Sequence, residues 1–313
     1  MNKKTVKYAL AVLTVVGLGV ACWKYLDPEA LRKAWARMDW GAWGWLMILP
    51  LLYLALKSLR FYYLQSPLTR VSGFHIWHGY GASQAASLLP GGVAMRAATM
   101  NQLGISPERS AGPILLNSLS DQLCLLAMGL AACFFYPELR MPALAVLGVF
   151  LFLGALLWWE SSRTRLIKQV RKIFARFGGG KRYDKFIESF QVTHRKASWT
   201  GIVTTTVGAN AVSVLILYIV VSSMGFEAEL GALIAAFVVP QLLGRLSPLP
   251  AGAGVIEAGM VGFLQANSPM SVEQATIATL LFRSFDTIGP ALYGALLHLA
   301  FSGRSGEKAS SPA

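Results

Sequence analysis

HIWHGYGASQAASLLPGGVAMRAATMNQLG, residues 75–104, is the stretch on which the reading of the whole chain turns. It is mostly apolar, it is too long for a loop, and Pro90-Gly91-Gly92 interrupts it in the middle. A helix interior is broken by that tripeptide, because proline removes a backbone donor and glycine carries the weakest helix propensity of the remaining residues. The stretch therefore reads as two short helices with a bend between them.

The flanks decide where the bend lies. On the N-terminal side, residues 42–64 form an apolar run introduced by Trp40, Trp43 and Trp45. About 20 such residues cross a bilayer, so 42–64 is a span, ending on the cytoplasmic side near Lys57, Arg60 and Arg70. On the C-terminal side, Ser110 to Tyr136 is a second span and Met141 to Trp159 a third, joined by the turn Pro137-Glu138-Leu139-Arg140. The following loop, residues 160–199, carries 11 of the chain's 28 Lys and Arg. Such a block between apolar runs marks a cytoplasmic loop facing anionic lipid. Counting back from it puts 137–140 outside and the start of the 110–136 span inside. Residues 65–73 and 106–109 then share the cytoplasmic face, so 75–104 enters and leaves by that face. This is a re-entrant hairpin, whose irregular backbone must be shielded by protein or line a wet cavity.

The second half repeats this arrangement upside down. Residues 200–223 cross outward, Gly225 to Glu229 turn outside, and 272–301 form the last span, with Arg304 and Lys308 following it inside. The stretch 230–267 must enter and leave by the outer face, and Ser247-Pro248-Leu249-Pro250-Ala251-Gly252 interrupts it. Breaks and spans of the two halves are related by an offset of about 160 residues, and a constant offset with opposite threading is the mark of an inverted-topology repeat. Ahead of both halves, Tyr8 to Leu26 is an uncleaved first span preceded by Lys3, Lys4 and Lys7, and residues 28–38 are a short amphipathic surface helix. The expectation is an all-α polytopic membrane protein of about six transmembrane helices plus two oppositely oriented re-entrant hairpins. It forms one transmembrane domain over 1–303, with repeat A at about 42–136, repeat B at about 200–301 and a flexible tail at 304–313.

Composition agrees. Of 313 residues, 55% are hydrophobic and 14% charged, against about a quarter charged in soluble domains. The apolar content excludes a disordered chain, and three cysteines in this length exclude a disulfide scaffold. A net charge of +13 raises nucleic acid as a partner, but no reading motif accompanies it and the basic loop accounts for much of it.

Ionisable residues at membrane depth cost several kcal/mol unless paired or wet. Six are expected to face an interior cavity as substrate-binding groups: Arg96, Asp121, Arg245, Glu257, Arg283 and Asp286. Arg283 and Asp286, one helical turn apart, can pair with each other. Arg96 and Arg245 lack an obvious local partner and suit an anion such as phosphate. Glu257 can balance one of them or accept a coupling proton. The hairpin breaks are Pro90, Gly91 and Gly92, and Pro250, Gly252 and Gly254. His75 and His78 are three apart without a carboxylate or cysteine in a ligand pattern, so no metal site and no cofactor are expected. No nucleophile triad, phosphate loop or zinc motif occurs, and no enzymatic activity is expected.

Two segments carry a resemblance. LPAGAGVIEAGMVGFL (249–264), followed by ATLLFRSFDTIGPALYG (278–294), resembles the closing signature of the lysylphosphatidylglycerol synthase transmembrane-region family. Pro250, Gly252, Gly254, Glu257, Ala258 and Arg283 match its pattern, with Ala251 in place of a glycine. LLPGGVAMRAATMNQLGIS (88–106) is similar to the family's earlier segment through Pro90, Gly91, Arg96 and Ala97. It departs by lacking the Gly-Glu pair before the arginine and by being two residues shorter. The resemblance implies a lipid flippase-like protein acting on a phospholipid or a polyprenyl-linked lipid. Members fused to an aminoacyl transferase domain make and flip an aminoacylated lipid; the few residues after 301 hold no such domain, so synthesis is not expected.

The functional expectation is a translocator of a phosphate-bearing lipid in the bacterial inner membrane, with both termini cytoplasmic. The alternative is a non-transporting partner or scaffold for a lipid-modifying enzyme such as a glycosyltransferase, docking through the 160–199 loop. That loop also meets anionic lipid, nucleic acid is not a partner, and a homo-oligomer is compatible with either reading.

Overall fold

The computed structural model describes residues 40–69, 71–87, 92–102, 104–135, 180–246, 252 and 254–306, with isolated positions at 29, 32, 144, 147–148, 168–169 and 171–172. The expected first span at 8–26, most of the 28–38 surface helix, the 137–140 turn, nearly all of the 141–159 span, most of the basic loop before 180 and the last residues of the tail lie outside the described residues. So do Pro90, Gly91 and Pro250. Among the described residues every regular element is helical.

The helices are α1 (Trp40–Gln65), α2 (Gly73–Ser87), α3 (Gly92–Gln102), α4 (Pro107–Phe135), α5 (Gly180–Lys196), α6 (Trp199–Ser223), α7 (Leu230–Leu246), α8 (Val255–Asn267), α9 (Val272–Arg283) and α10 (Gly289–Gly306). A short 3-10 turn, Ser66–Leu68, follows α1, and a π-helical turn, Ser284–Ile288, joins α9 to α10. Among the described residues three helical segments are long and apolar enough to cross a membrane: Trp40–Leu68, Pro107–Cys133 and Trp199–Ser223. α10 continues to Gly306, into the segment expected as tail. Local chemistry places several ends. Ser198 Oγ accepts from the Gly201 N–H to start α6, and Ser271 and Gln274 form a reciprocal cap at the start of α9.

The π-turn has a local cause. Pro290 has no N–H to give to the carbonyl of Asp286, and its ring crowds that carbonyl. The ladder widens by one residue instead, and the Gly289 N–H reaches back to Ser284 O.

Helix packing is organised as two matched halves. α1 lies along α6. α2 packs on α10 as α7 packs on α4, α2 on α3 as α7 on α8, and α3 on α4 as α8 on α9. With α5 set aside, exchanging α1–α4 with α6–α10 therefore maps these helix contacts onto one another. Close approaches depend on glycine, as in membrane bundles generally. A Cβ on Gly294 would collide with the backbone carbonyl of Gly81, which brings α10 directly against α2. Gly252, at φ +67°, sits where a Cβ would come within 2.9 Å of the Gly244 backbone, closing the α7–α8 pair.

The distribution of polarity is that of a chain immersed in lipid. Leu115, Leu119 and Leu123 form an exposed stripe on α4, and Leu292, Leu296 and Leu299 are 60–72% exposed on α10. Meanwhile Lys57, Arg60, Arg96, Asp121 and Asp286 are buried. Exposed leucine outside and charge inside is favourable only when the surroundings are hydrocarbon.

Candidate functional site

The densest polar group lies where α1, α4 and α6 meet. Lys57 and Arg60 are one turn apart on α1, and Asn117 and Asp121 one turn apart on α4, so each pair shares a helix face. Arg60 grips Asp121 with both terminal nitrogens, Nη1 to Oδ1 at 2.5 Å and Nη2 to Oδ2 at 3.0 Å. Its Nε donates to Asn117 Oδ1 at 2.8 Å, and Nη1 also reaches Thr206 Oγ1 on α6 at 3.3 Å. Lys57 Nζ donates to Asp121 Oδ2 at 2.7 Å and lies 5.0 Å from the centre of the Tyr53 ring. Two cations thus share one carboxylate. A fully buried guanidinium is tolerated only when it is paired and hydrogen-bonded, and here each of its three nitrogens has an acceptor.

Arg96 forms a second group on the α2–α3 pair. Its Nε donates to Ser83 Oγ at 3.2 Å and Nη2 to Gln84 Oε1 at 2.9 Å, while the guanidinium carbon stands 4.7 Å over the Tyr80 ring. Tyr80 packs against Phe61, the residue after Arg60, with ring centres 5.2 Å apart. One tyrosine ring therefore stands between Arg96 and the Lys57–Arg60 pair. The partners named for Arg96 are neutral. Across both groups there are three buried cations and one carboxylate, Asp121, with a second buried carboxylate, Asp286, within electrostatic range of Lys57.

The remaining ionisable residues belong to the second half. Glu257 accepts from the Gly254 N–H through Oε2 at 2.6 Å, capping α8, and from Arg283 Nε through Oε1 at 2.9 Å. Arg283 also donates to Thr287 Oγ1 at 3.1 Å. Asp286 is held by Ser213 Oγ of α6 at 2.5 Å. Arg245 is exposed in the last turn of α7, within electrostatic range of Asp121.

These contacts revise the pairing expected from sequence. Arg283 salt-bridges to Glu257 and not to Asp286, because the π-turn directs Asp286 toward α6. Lys57 and Arg60 are not interfacial anchors at the end of a span, since α1 continues to Gln65 and both are buried against α4. Their signal was present as two cations three residues apart, followed by the apolar and aromatic run Phe61-Tyr62-Tyr63-Leu64. A helix that resumes an apolar face beyond its cations has not yet reached water. Asp121 and Asp286 lie inside the bundle, Arg96 lies on α3, and Arg245 is not brought into contact with Arg96.

The profile of the lysylphosphatidylglycerol synthase transmembrane region matches residues 7–294, nearly the whole chain. The chain belongs to that family. No curated relative matches it. As a member of the lysylphosphatidylglycerol synthase transmembrane-region family it is a membrane domain with a lipid-related function. The matched region contains both breaks, the three-cation group and the Glu257–Arg283 bridge.

Proposed function

We propose that this protein carries a phosphate-bearing lipid between the leaflets of the bacterial inner membrane, acting as a translocator and not as an enzyme. The observation that supports this most directly is the excess of buried positive charge. Among the described residues Lys57, Arg60 and Arg96 are three buried cations against two buried carboxylates, Asp121 and Asp286, and the bonds named for Arg96 go to neutral groups. Each ionised side chain at depth costs about 2.5–3.5 kcal/mol on insertion scales. An anionic headgroup entering between them offsets that cost. Arginine suits the task because its planar fork gives two parallel hydrogen bonds to phosphate.

In this reading the α2–α3 and α7–α8 pairs are re-entrant hairpins entering from opposite faces, six spans surround them, and both termini are cytoplasmic. Each hairpin closes one side of a shared midplane site, the arrangement that alternating access uses in inverted-repeat carriers.

Arg96→Gln provides a clean test, because its named partners are neutral and the glutamine amide nitrogen takes the place of Nε against Ser83. Purified protein in vesicles containing fluorescent phosphatidylglycerol should accelerate the exchange of dye between leaflets, read by quenching from outside. The variant should lose about tenfold of that rate, the equivalent of roughly 1.4 kcal/mol, with its melting temperature unchanged. Transport at the wild-type rate by Arg96→Gln would sink the anion-site reading. If the wild-type protein moves no lipid and neutralising Lys168, Arg171 and Lys172 in the basic loop abolishes the cellular phenotype, the scaffold reading takes its place.

A further inference from the structure

The carboxylates Asp121, Glu257 and Asp286 differ in what is bonded to them. Asp121 holds cations on both oxygens, and Glu257 gives one oxygen to Arg283 and the other to the Gly254 N–H. Asp286 is buried, yet among the described residues no ion pair reaches it, and its one hydrogen bond comes from the neutral Ser213 hydroxyl to Oδ1. We infer that Asp286 is a proton-binding site linked to the cation group of Lys57, Arg60 and Arg96, so that an anionic lipid and a proton bind the protein together. This rests on the lipid-carrier reading above and deepens it by naming the coupling ion.

Helix packing connects Asp286 with the cations. Thr206, Asn210 and Ser213 share one buried face of α6, and Tyr53, Lys57 and Arg60 share one face of α1. The two helices run antiparallel, since Gly201 meets Tyr63 and Gly208 meets Leu56. Arg60 bonds to Thr206 at one end of this polar track. At the other end Ser213, level with Tyr53, bonds to Asp286. Lys57 lies between, 5.0 Å from the centre of the Tyr53 ring. The π-turn that carries Asp286 is seated on α1: Gly289 packs on Pro50, and the Phe285 ring stands 6.0 Å from that of Trp43. Such turns recur at functional sites in helices.

The charged and titratable groups around Asp286 are Tyr53 and Lys57 from α1, Asp121 from α4 and Arg283 from α9. Lys57 is bonded to Asp121, and Arg283 to Glu257. On α10, Tyr293 donates to the Met47 carbonyl, and α6 presents the Ser213 hydroxyl. No bonded cation fixes the charge of Asp286, so a proton can enter and leave it, as in the carboxylate relays of membrane carriers. From Thr206 to Ser213 is about 10 Å along α6. Two unit charges that far apart alter one another's binding by roughly tenfold at an effective dielectric of about 20. An anion among the cations repels an ionised Asp286 and favours the proton, and by reciprocity the proton favours the anion. A singly charged lipid accompanied by a proton is neutral, so the membrane potential does not oppose its passage.

Binding of short-chain phosphatidylglycerol to the full-length protein in detergent, followed over a range of pH, tests this. Wild-type affinity should fall about tenfold from the acid to the alkaline side, and lipid added in weakly buffered solution should draw protons onto the protein. Asp286→Asn is neutral at every pH and keeps an acceptor for Ser213. It should hold the acid-side affinity throughout and take up no protons, with its melting temperature recorded. Infrared difference spectra between acid and alkaline solution, without lipid, should show a protonated-carboxyl band that Asp286→Asn removes. Persistence of that band in the variant, or equal pH dependence of binding in the two proteins, overturns the inference. Wild-type protein that binds lipid without proton uptake overturns it with no variant needed, and wild-type protein that binds no lipid at any pH overturns the link whatever the spectra show. The carrier reading fails separately: protein with pH-linked binding that moves no fluorescent lipid in vesicles retains the linked sites and loses transport.

Discussion

Two ion-pair systems of different depth separate stabilising from mobile charge. Asp121 is buried between two cations, and Asp121→Asn leaves both without their carboxylate. Breaking a buried pair by removing one partner costs about 3–5 kcal/mol, so this variant should show a large loss of stability in detergent denaturation. The Glu257–Arg283 bridge is more open, with 20% and 14% side-chain exposure. Glu257→Gln keeps an acceptor for the Gly254 N–H and gives up only the charge, so about 1 kcal/mol is expected for this partly solvated pair. The ordering of the two losses is the check, and a reversal would mean that Glu257 carries more of the fold than its exposure allows. The two halves also invert one another's chemistry. Arg96 and Glu257 stand about 161 residues apart, and Asp121 and Arg283 about 162. Equivalent positions of the repeat thus bear opposite charge, yet only Glu257 and Arg283 bond to each other.

Contacts between helices set the next scale. The Gly81–Gly294 approach is asymmetric: a Cβ on Gly294 meets backbone, whereas the nearest atom to one on Gly81 is 3.8 Å away. Gly294→Ala should therefore separate α2 from α10 and lower the melting temperature, while Gly81→Ala should be nearly neutral; equal effects would contradict the geometry. Gly254 meets no steric obstacle, but its φ of +84° with ψ of −46° lies near the positive-φ γ-turn. That conformation, and not space, is why glycine begins α8. The π-turn offers a functional comparison. Pro290→Ala restores a donor and lets Ser284–Ile288 wind as ordinary α-helix, shifting Asp286 by one residue's rotation away from Ser213. Transport in vesicles should fall several-fold while helix stability holds or rises, since a helix-interior proline costs about 3 kcal/mol.

At the scale of the molecule, the paired helix contacts and the opposite threading expected from the sequence make one prediction about topology. Arg109 at the start of α4 and Glu273 at the start of α9 are both exposed and occupy equivalent places in the repeat. Single cysteines there, with Cys22, Cys124 and Cys133 replaced, should react with a membrane-impermeant thiol reagent from opposite faces, position 109 from inside and 273 from outside. Labelling from the same face would rule out inversion and leave the matched contacts as a parallel duplication.

Much of this protein follows from the chain alone. Expected spans at 42–64, 110–136 and 200–223 compare with helices at 40–65, 107–135 and 199–223, because apolar run length, tryptophan boundaries and serine caps act locally. Helices on either side of each Pro-Gly break were legible for the same reason. The pairing of charges was not. Arg60 and Asp121 lie 61 residues apart and Lys57 and Asp121 64 apart, and nothing local distinguishes a cation at the end of a span from one turned into the bundle. Burial cost shows that each ionisable residue requires a partner, but depth and rotation of packed helices select which one. The wider turn before Pro290, for example, directs Asp286 to Ser213 and leaves Arg283 to Glu257. The sequence by itself determined a helical membrane chain, its breaks and its ionisable inventory; the tertiary packing decided which charges meet and which remain in excess, since both depend on neighbours distant in the chain.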